Sequence, residues 1–456
     1  MKKYGIVLAA GMGTRMKSKT PKVLHKVLGR SMVSHAVSAL EGASVEKVVA
    51  VIGHKSELLQ AELGNRASYG IQTEQLGTAH AVMQARNLLE GLDGITIITY
   101  GDGPLLTSAT LEKLVKHHSQ AGVALTFLTS HTEDPTGYGR IVRNTSNGRI
   151  QKIVEQKDAN SKELLITEIN TGVCCVDNKV LFTALDKIDN NNSQGEYYLT
   201  DLVEIITDMG LSCDAFAHEN FEETLGVNDR VQLGTASKIM QKRINETHMR
   251  NGVTLIDPEN TYIEPDVVIE SDVTIFPNVH LIGNTHISEN CIVGMGSKIL
   301  NSKIGNDCRV ESSYITDSNI GSQTTVGPFS HIRANSEIGD LVRIGNFVEI
   351  KNTKFKKTSK AAHLSYIGDA DVGEGANFGC HSATANYDGR HKYKTTIGND
   401  VMIGCNVNLI APVTIGNGAY LAAGSTITKD VEEDTLAVAR SKQANKIGVA
   451  KKLKSY

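Results

Sequence analysis

The sequence predicts an α/β domain with a mostly parallel, Rossmann-like sheet, followed by a solenoid of hexapeptide repeats. Strand-like runs alternate with helical patterns from residue 4 to about 128, an order typical of βαβ units. Apolar residues then recur at every sixth position over most of residues 263–427. A helix requires spacings of three and four and an ordinary strand a spacing of two, so a spacing of six indicates a repeat.

Length, charge and cysteine content narrow the class of protein. The 456 residues suffice for two or three domains, and the formal net charge of −3 gives no sign of nucleic-acid or anionic-membrane binding. Seven cysteines without framework spacing, together with no recognisable export signal, indicate the cytoplasm. No run approaches the roughly 20 apolar residues of a membrane span. We therefore expect a cytoplasmic protein whose partners are neither nucleic acid nor membrane.

The loop after the first strand has the composition of a phosphate-binding loop. Its sequence is LAAGMGTR, from Leu8 to Arg15, and Pro21-Lys22 follow shortly after. Small residues allow backbone amides to approach a phosphate, and Arg15 and Lys22 add positive charge. A tight turn is the alternative for the glycines alone, since the spacing matches neither the dinucleotide fingerprint nor the Walker loop.

Asp102 follows the strand-like run ITIITY, at the end where a parallel sheet binds its ligands. A carboxylate there suits a hard divalent cation, which prefers oxygen donors. A turn or a helix cap is the alternative for an isolated aspartate.

Residues 229–250 are predicted to form one amphipathic helix, from apolar positions such as Val231, Ala236 and Ile244. This gives three segments: a domain over 1–228, a helical linker over 229–250, and the solenoid domain with a basic tail over 251–456.

The solenoid is predicted to contain about nine coils, because each coil of three hexads takes eighteen residues. One coil points three residues inward, each contributing roughly 1.5–3 kcal/mol, against roughly 1–2 kcal/mol per residue for ordering the backbone. Only stacked coils are therefore stable. The inward residues are Ile263, Ile269, Ile275, Leu281, Ile287, Val293 and Ile299; then Ile320, Val326, Ile332, Ile338, Ile344 and Ile350; then Ile397, Ile403, Leu409, Ile415, Leu421 and Ile427.

The residues that follow the inward positions indicate an anion site. In the second run most of them are glycines, which suits a tight corner with unusual backbone angles. Arg333 and Lys351 are the exceptions, and their separation of eighteen residues predicts that they stack in adjacent coils. Like charges so placed favour a phosphate-bearing ligand between them, with a solvated basic face as the alternative.

The hexad register is predicted to break twice, between Lys351 and Ile367 and between Phe378 and Ile397. The polar segment 386–392 is expected to loop out at the second break. His363 lies between the breaks, and an imidazole suits a general base near neutral pH. A lone histidine is more often structural, but the stacked cations beside it favour the catalytic interpretation.

Longer motifs extend these observations to a family resemblance. The string GxGTRMxxxxPKxL resembles the sugar-1-phosphate nucleotidylyltransferases, and nearly the whole chain resembles the bifunctional bacterial N-acetylglucosamine-1-phosphate uridylyltransferase/glucosamine-1-phosphate acetyltransferases. That resemblance implies a nucleotidylyltransferase domain followed by a left-handed parallel β-helix. The other motifs that carry it are QTEQLGTA (72–79), YGD (100–102), GYGR (137–140), VEQK (154–157), NTG (170–172) and GVN (226–228).

The resemblance implies a uridylyltransferase site in the first domain. Arg15 and Lys22 would be catalytic there, and Asp102 and Asn228 would bind Mg²⁺. The residues implied to bind nucleotide or sugar are Leu8, Ala9, Ala10, Gly11, Lys22, Gln72, Gly77, Thr78, Tyr100, Gly101, Asp102, Gly139, Glu155, Asn170 and Asn228.

The resemblance also implies an acetyltransferase site in the solenoid, with His363 as the general base. Cys380, His381 and Cys405 depart from the residues usual in the family, and His381 stands where a glycine is usual. The implied glucosamine-1-phosphate residues are Arg333, Lys351, Tyr366 and Asn377, and the implied acetyl-CoA residues are Cys380, Asn386, Tyr387, Cys405, Ala423 and Arg440.

The function so implied is the synthesis of UDP-N-acetylglucosamine, a cell-wall precursor, by acetylation and then uridylyl transfer from UTP. One alternative is a monofunctional nucleotidylyltransferase whose solenoid only oligomerises. Another is a non-catalytic regulatory homologue, which would have lost Arg15, Lys22, Asp102 or Asn228, whereas all four are present. We expect a homotrimer, because flat prism faces leave surface to bury around a threefold axis.

Overall fold

The computed structural model describes residues 1–454, and the chain divides into two compact units. The first is Met1–Met240 and the second begins at Gln241. No helix among the described residues is long and apolar enough to cross a bilayer.

One nine-stranded sheet organises the first unit. Its main path runs β11-β7-β10-β6-β1-β4-β5, with β8 and β9 beside β10, and β2 pairs with β3 separately. The strands are β1 Lys3–Leu8, β2 Lys26–Val27, β3 Arg30–Ser31, β4 Lys47–Ile52, β5 Ser68–Ile71, β6 Ile95–Tyr100, β7 Leu125–His131, β8 Arg140–Arg143, β9 Ile150–Val154, β10 Glu168–Asp177 and β11 Cys213–His218.

Helices cover both faces of this sheet, and a long helix follows it. They are α1 Met32–Gly42, α2 Ser56–Leu63, α3 Thr78–Met83, α4 Arg86–Leu89, α5 Ser108–Ala121, α6 Asn178–Leu185 and α7 Leu202–Asp208, followed by the long α8 Arg230–Arg250. A short α9, Val449–Leu453, belongs to the second unit. Short 3₁₀ turns lie at Thr14–Met16, Lys22–Leu24, Gly64–Arg66, Glu163–Leu165, Leu199–Asp201, Phe221–Thr224 and Pro258–Asn260.

The strand-like runs predicted before residue 128, namely YGIVLA, KVVAVIG, ITIITY and VALTFLT, form β1, β4, β6 and β7. Strand β1 lies between β4 and β6, with both pairs parallel. The sheet is mixed, because β10 inserts antiparallel between β6 and β7. The adjacent Cys174 and Cys175 of β10 are both fully buried, in cores on opposite faces of the sheet. The carboxyl ends of β1 and β6 lie side by side, so the loops that follow them share one edge.

The helix predicted over 229–250 is present as α8. In its second half, Gln241 Nε2 donates to the carbonyl of Thr261 at 2.7 Å and Asn245 Nδ2 donates to the same carbonyl at 2.9 Å. The last turns of α8 therefore satisfy backbone groups at the open end of the first coil.

The second unit is a coil with three parallel sheets, which we name the first, second and third faces in chain order. Within the described residues they contain eleven, ten and nine strands. The first face is Thr254–Leu255, Thr274–Ile275, Ile292–Val293, Arg309–Val310, Thr325–Val326, Arg343–Ile344, Lys360–Ala361, Asn377–Phe378, Met402–Ile403, Tyr420–Leu421 and Leu436–Ala437.

The other two faces follow the same pattern. The second is Tyr262–Ile263, His280–Ile282, Lys298–Leu300, Tyr314–Thr316, His331–Ile332, Val348–Lys351, Ser365–Gly368, Ser382–Ala385, Asn408–Ile410 and Thr426–Ile427. The third is Val268–Ile269, His286–Ile287, Lys303–Ile304, Asn319–Ile320, Glu337–Ile338, Lys354–Phe355, Ala370–Val372, Thr395–Ile397 and Val413–Ile415.

The predicted inward residues form one continuous core. The coil extends beyond the repeat of residues 263–427, to Thr254 and Ala437. The predicted break in the hexad register between Lys351 and Ile367 is present as a step of five residues, from Ile350 to Phe355. The coil itself continues there, because Phe355 and Ala361 extend the core at 1% and 0% exposure.

The prediction of unusual backbone angles at the corner glycines is wrong for most of these glycines. Gly327 has a φ of +105°, but Gly321 and Gly345 lie outside the left-handed region. Glycine is required at such a corner because there is no room for a side chain. A Cβ on Gly345 would lie 1.9 Å from the carbonyl oxygen of Ala362 in the next coil. The left-handed residue comes two positions later, as at Phe347 with a φ of +58°.

The loop predicted at the second break is confirmed. Residues 386–394 leave the coil between Ser382–Ala385 and Thr395–Ile397. Tyr387 and Lys392 form an isolated antiparallel bridge within the loop, so it folds back as a short hairpin.

Candidate active sites

Four polar residues from three distant segments meet at the carboxyl edge of the first sheet. Lys22 forms an ion pair with Asp102, and its Nζ lies 3.2 Å from Asn228 Oδ1. Arg15 donates to the same Asn228 oxygen at 2.9 Å. A backbone hydrogen bond from Val227 N to Asp102 O, 2.9 Å long, holds the Asn228 segment at this place.

The donor set at this edge fits a magnesium ion. Asp102 offers a carboxylate and Asn228 a carboxamide oxygen, both hard oxygen donors. The described residues contain no group of three or more His, Cys, Asp and Glu side chains able to hold a metal. Phosphate oxygens and water would therefore complete the coordination, and Lys22 already places a cation beside both oxygens.

The predicted nucleotide residues line one cleft of about 270 Å³. Gln72 is buried and donates from Nε2 to the carbonyl of Gly77 at 3.2 Å. Gly77 has a φ of +115°, and a Cβ there would lie 2.5 Å from the carbonyl oxygen of Tyr197. The lining includes the predicted Leu8, Ala9, Ala10, Gly11, Lys22, Gln72, Gly77, Thr78, Tyr100 and Asp102.

A second cleft of about 360 Å³ adjoins the first, and the predicted sugar residues Gly139, Glu155 and Asn170 line it. Burial is the main cause that raises the pKa of Glu155, with a smaller contribution from Asp158. Burial likewise raises the pKa of the Tyr100 phenol. A carboxylate so desolvated is a strong hydrogen-bond acceptor for a sugar group.

Tyr100, Asp102, Thr78 and Glu196 line both clefts. The cluster of Asp102, Lys22 and Asn228 therefore lies at the junction, where two bound phosphate groups would meet. Sequence reasoning did not identify Gln75, whose Nε2 donates to the carbonyl of Ala10 at 2.8 Å. The QTEQ motif contains this residue, but its contact depends on how two loops meet.

In the second unit, four predicted residues occupy one corner position in successive coils. Ala361 pairs with Phe378, Phe378 with Ile403, and Ile403 with Leu421. The residues two positions further along the chain form a ladder in the same order: His363, Cys380, Cys405 and Ala423. Arg440 lies near the end of this ladder, because its Cδ lies 3.9 Å from where a Cβ of Gly424 would be.

Three of the residues predicted to bind glucosamine-1-phosphate, Arg333, Lys351 and Tyr366, lie on or directly after strands of the second face. The backbone N of Arg333 bonds to Ile350 O at 2.7 Å, so Arg333 and Lys351 are in register in adjacent coils. Arg333 pairs with Glu349 at 2.7 Å, and this hydrogen bond raises the pKa of Arg333. Tyr366 stands opposite Glu349 in the next strand.

The loop adds a residue that the sequence analysis missed. Lys392 comes close to Lys351, and the neighbouring ammonium group lowers the pKa of Lys392. The basic composition of the loop was its only signal, since the return of the loop to the second face is not readable from spacing.

Asn377 lies apart from this group, because it belongs to the first face, where its Nδ2 donates to Met402 Sδ at 3.2 Å. Asn386 lies beside Tyr366, with its Nδ2 3.5 Å from the Tyr366 hydroxyl. It is 8% exposed and also donates to Asp369 Oδ2 at 2.5 Å. Tyr387 is 61% exposed on the same loop. Of these two loop residues, Tyr387 is therefore the more accessible to a ligand.

His381 adopts the left-handed conformation, with a φ of +62°. A glycine would hold this corner without strain, whereas a histidine costs about 1–2 kcal/mol. Its backbone N donates to Leu364 O at 2.6 Å, which fixes the corner against the coil below.

Comparison with known families agrees with this architecture. Residues 4–221 match the family described as nucleotidyl transferase, and residues 394–429 match bacterial transferase hexapeptide, six repeats. Residues 251–361 match the GMPPB C-terminal domain. These matches define a nucleotidyltransferase joined to a left-handed β-helix of hexapeptide repeats.

Full-length relatives then identify the family. Proteins named "Bifunctional protein GlmU" from Listeria monocytogenes and Geobacillus thermodenitrificans are 52% and 53% identical, over 99% and 98% of this chain and 99% and 97% of their own. The one from Halalkalibacterium halodurans is 52% identical over 97% of both chains. The chain belongs to the bifunctional GlmU family, whose uridylyltransferase and acetyltransferase activities make UDP-N-acetylglucosamine from nucleotide and sugar-phosphate substrates.

Proposed function

We propose that residues 1–228 bind UTP and N-acetylglucosamine-1-phosphate in the two adjoining clefts, with Mg²⁺ held by Asp102 and Asn228. The segment 229–250 is the linker, and residues 251–456 carry acetyl transfer. The convergence of Arg15, Lys22, Asp102 and Asn228 at the junction supports the first assignment.

In uridylyl transfer, an oxygen of the sugar 1-phosphate attacks the α-phosphorus of UTP, and pyrophosphate leaves. Bound Mg²⁺ supplies positive charge that neutralises the phosphate oxygens. Lys22 and Arg15, held by Asn228, supply further charge where the two phosphate groups meet. The clefts align the reactants, and no protein nucleophile is required.

In the second unit we propose that acetyl-CoA lies along the ladder of Cys380, Cys405 and Ala423, with Tyr387 and Arg440 as further contacts. His363 stands at one end of this ladder. The amine nitrogen of glucosamine-1-phosphate attacks the thioester carbonyl, the His363 imidazole accepts the amine proton, and the CoA thiolate leaves. Arg333, Lys351 and Lys392 hold the sugar phosphate, and Tyr366 lies between them and His363 along the second face.

Asn386 is proposed to position the loop, because its side chain is committed to Asp369. Acetylation precedes uridylyl transfer, since the first unit takes the acetylated sugar. Acetyl transfer uses acetyl-CoA and uridylyl transfer uses UTP, and this pair of co-substrates supports a cytoplasmic location.

We propose a homotrimer that packs through an apolar ridge at the corner between the first and second faces. The ridge is Phe329, Phe347 and Leu364, which are 60%, 56% and 44% exposed in successive coils. The two phenyl rings stack with centroids 5.5 Å apart. Leu364 is adjacent to His363, so a neighbouring copy on the ridge would approach the acetylation site, and its Asn377 is a candidate to complete the sugar pocket.

The observation that carries the proposal is the ladder from His363 to Ala423, because it joins the general base to the acetyl-CoA residues. The test supplies glucosamine-1-phosphate, acetyl-CoA, UTP and Mg²⁺ and measures CoA thiol and pyrophosphate separately. Thiol should appear without UTP, and pyrophosphate only when acetyl-CoA or the acetylated sugar is present. Pyrophosphate release that does not require acetylation would contradict the order of the two reactions.

A further inference from the structure

Cys380 and Cys405 hold the same corner position in adjacent coils. The strands before them pair Phe378 with Ile403. Backbone hydrogen bonds continue this pairing across the corner, from Gly379 N to Ile403 O and from Asn406 N to Cys380 O, both 2.7 Å long. The residues that follow them, His381 and Asn406, have φ angles of +62° and +56°. The two corners therefore have matching backbone conformations.

This stacking places the two thiols within reach of a disulfide. Neighbouring strands of a sheet lie about 4.7–4.9 Å apart. A disulfide joins Cα atoms roughly 4.4–6.8 Å apart. The two Cα atoms are therefore stacked at a separation that a disulfide spans.

Solvent reaches this pair of thiols, whereas a second stacked pair in the same solenoid is enclosed. Cys380 is partly exposed and Cys405 is exposed. Cys291 and Cys308 are stacked in the same way, but they are 1% and 2% exposed and donate to the carbonyls of Gly305 and Gly321. A reagent in water therefore meets the first pair and not the second.

His381 supplies a proton acceptor at the exposed pair. Its Nδ1 lies 3.1 Å from Cys380 Sγ. The hydrogen bond from His381 N to Leu364 O fixes the backbone that carries the imidazole. Thiol–disulfide exchange requires a thiolate, so a base beside the sulfur favours Cys380 as the attacking residue.

We propose that Cys380 and Cys405 form an oxidation site that reacts with the disulfide of a small thiol, in particular that of coenzyme A. The preference for coenzyme A rests on the proposed acetyl-CoA position along the ladder. His381 accepts the Cys380 proton, and the thiolate attacks one sulfur of the small disulfide, releasing one thiol. Cys405 then attacks Cys380 Sγ and releases the second thiol. The two cysteines are oxidised to one disulfide, the small disulfide is reduced to two thiols, and these carry away the two protons.

The disulfide would change the ladder next to His363. Its two sulfur atoms would be fixed where the thioester and pantetheine are proposed to lie. Acetyl transfer would therefore stop, while uridylyl transfer in the first unit would continue. Reduction by excess thiol would restore acetyl transfer.

The test incubates the full-length enzyme with coenzyme A disulfide or with hydroxyethyl disulfide, then blocks free thiols and maps peptides by mass spectrometry. We expect a peptide cross-linked between Cys380 and Cys405, with Cys291 and Cys308 still alkylatable after unfolding. Acetyl transfer should be lost and then recovered with dithiothreitol, with pyrophosphate release unchanged. Free, alkylatable thiols at 380 and 405 after both treatments would overturn the proposal.

Two further comparisons separate this proposal from the proposed function. Cys405→Ser should stop at a mixed disulfide on Cys380, and Cys213→Ser, a change at a buried cysteine of the first unit, should cross-link as the unaltered enzyme does. A Cys405→Ser enzyme that gains no thiol adduct would contradict the order of attack. Equal rates of oxidation by coenzyme A disulfide and hydroxyethyl disulfide would contradict the proposed position of acetyl-CoA. The cross-linked peptide alone shows whether Cys380 and Cys405 form a disulfide. If Cys405→Ser does not fold, the peptide map of the unaltered enzyme still gives the answer.

Discussion

Lys392 places its ammonium group beside that of Lys351, and this neighbour lowers the pKa of Lys392. The two residues belong to different elements, since Lys351 ends a strand of the second face and Lys392 lies on the loop. Like charges held together favour an anion, and a bound phosphate would raise the pKa of Lys392 again.

Lys392→Met should weaken binding of glucosamine-1-phosphate. Loss of one charge-assisted hydrogen bond to phosphate predicts a rise in KM of about 10–100-fold in the acetylation assay. The release of pyrophosphate from UTP should not change. The matched control is Lys394→Met on the same loop, because that lysine is paired with Asp371. An equal rise in KM for both variants would show that the loop as a whole, and not Lys392, is responsible.

His363→Ala should abolish acetyl transfer and preserve uridylyl transfer from N-acetylglucosamine-1-phosphate. Removal of a general base typically lowers kcat about 10²–10⁴-fold. The control is His331→Ala, an exposed histidine of the second face that contacts Tyr314 edge to face. Loss of both activities in His363→Ala, or a similar loss in His331→Ala, would contradict the assignment of the base.

Asp102→Asn should have the opposite effect. The change removes the carboxylate proposed for Mg²⁺ and leaves Lys22 without its ion pair. We expect pyrophosphate release to fall about 10²–10³-fold and thiol release to remain. Asp186→Asn, which removes an exposed ion pair with Arg86 in the same unit, serves as the control. Higher Mg²⁺ concentrations should partly restore the activity of Asp102→Asn, and an unchanged response to Mg²⁺ would argue against the metal role.

The sequence predicted these two centres to different extents. Asp102 was identified because it follows a strand at the edge where a parallel sheet binds its ligands, and Arg15 and Lys22 because they add positive charge to a glycine-containing loop. Asn228 was identified from the family resemblance alone. Arg333 and Lys351 were identified because a regular repeat converts spacing into position. Lys392 and the burial of Asn386 were not predicted, since both depend on how a loop of nine residues folds back.

Predictions made from the hexapeptide spacing also failed where the repeat is imperfect. The short step to Phe355 and the small Ala361 hid one coil, although both residues are buried in the core. The corner glycines were attributed to backbone angle, whereas the controlling factor at Gly345 is its distance from Ala362 in the next coil. Spacing along the chain does not reveal the distance between coils.

Asp201→Asn should stabilise the first unit above neutral pH. Burial, with smaller contributions from Glu204 and Asp189, raises the pKa of Asp201 from 3.8 to about 6. The folded state therefore disfavours the carboxylate, and this cost is full above about pH 6 and disappears as the pH falls towards 4. After allowance for partial exposure we expect about 1–2 kcal/mol at about pH 8.

Thermal unfolding at about pH 8 and about pH 4 measures this difference. The melting temperature of Asp201→Asn should exceed that of the unaltered protein by several degrees at the higher pH, and the gap should close at the lower one. Asp208→Asn, an exposed carboxylate at the end of α7, controls for the loss of one charge. A gap that persists or widens at low pH would have the wrong sign for a raised pKa.

Phe347→Asp should weaken the proposed trimer and, with it, acetyl transfer. The side chain is 56% exposed in the isolated chain and stacks on Phe329, which is 60% exposed. Burial of a phenylalanine contributes roughly 1.5–3 kcal/mol, so a charge there should raise the dissociation constant at least about 10–100-fold. Sedimentation velocity across a concentration series measures the change. Val268→Asp, at an apolar position of the third face that is 54% exposed, should leave assembly intact. If Phe347→Asp assembles normally, the ridge is not the interface. If it becomes monomeric but keeps full acetyl transfer, one chain alone holds the complete acetylation site.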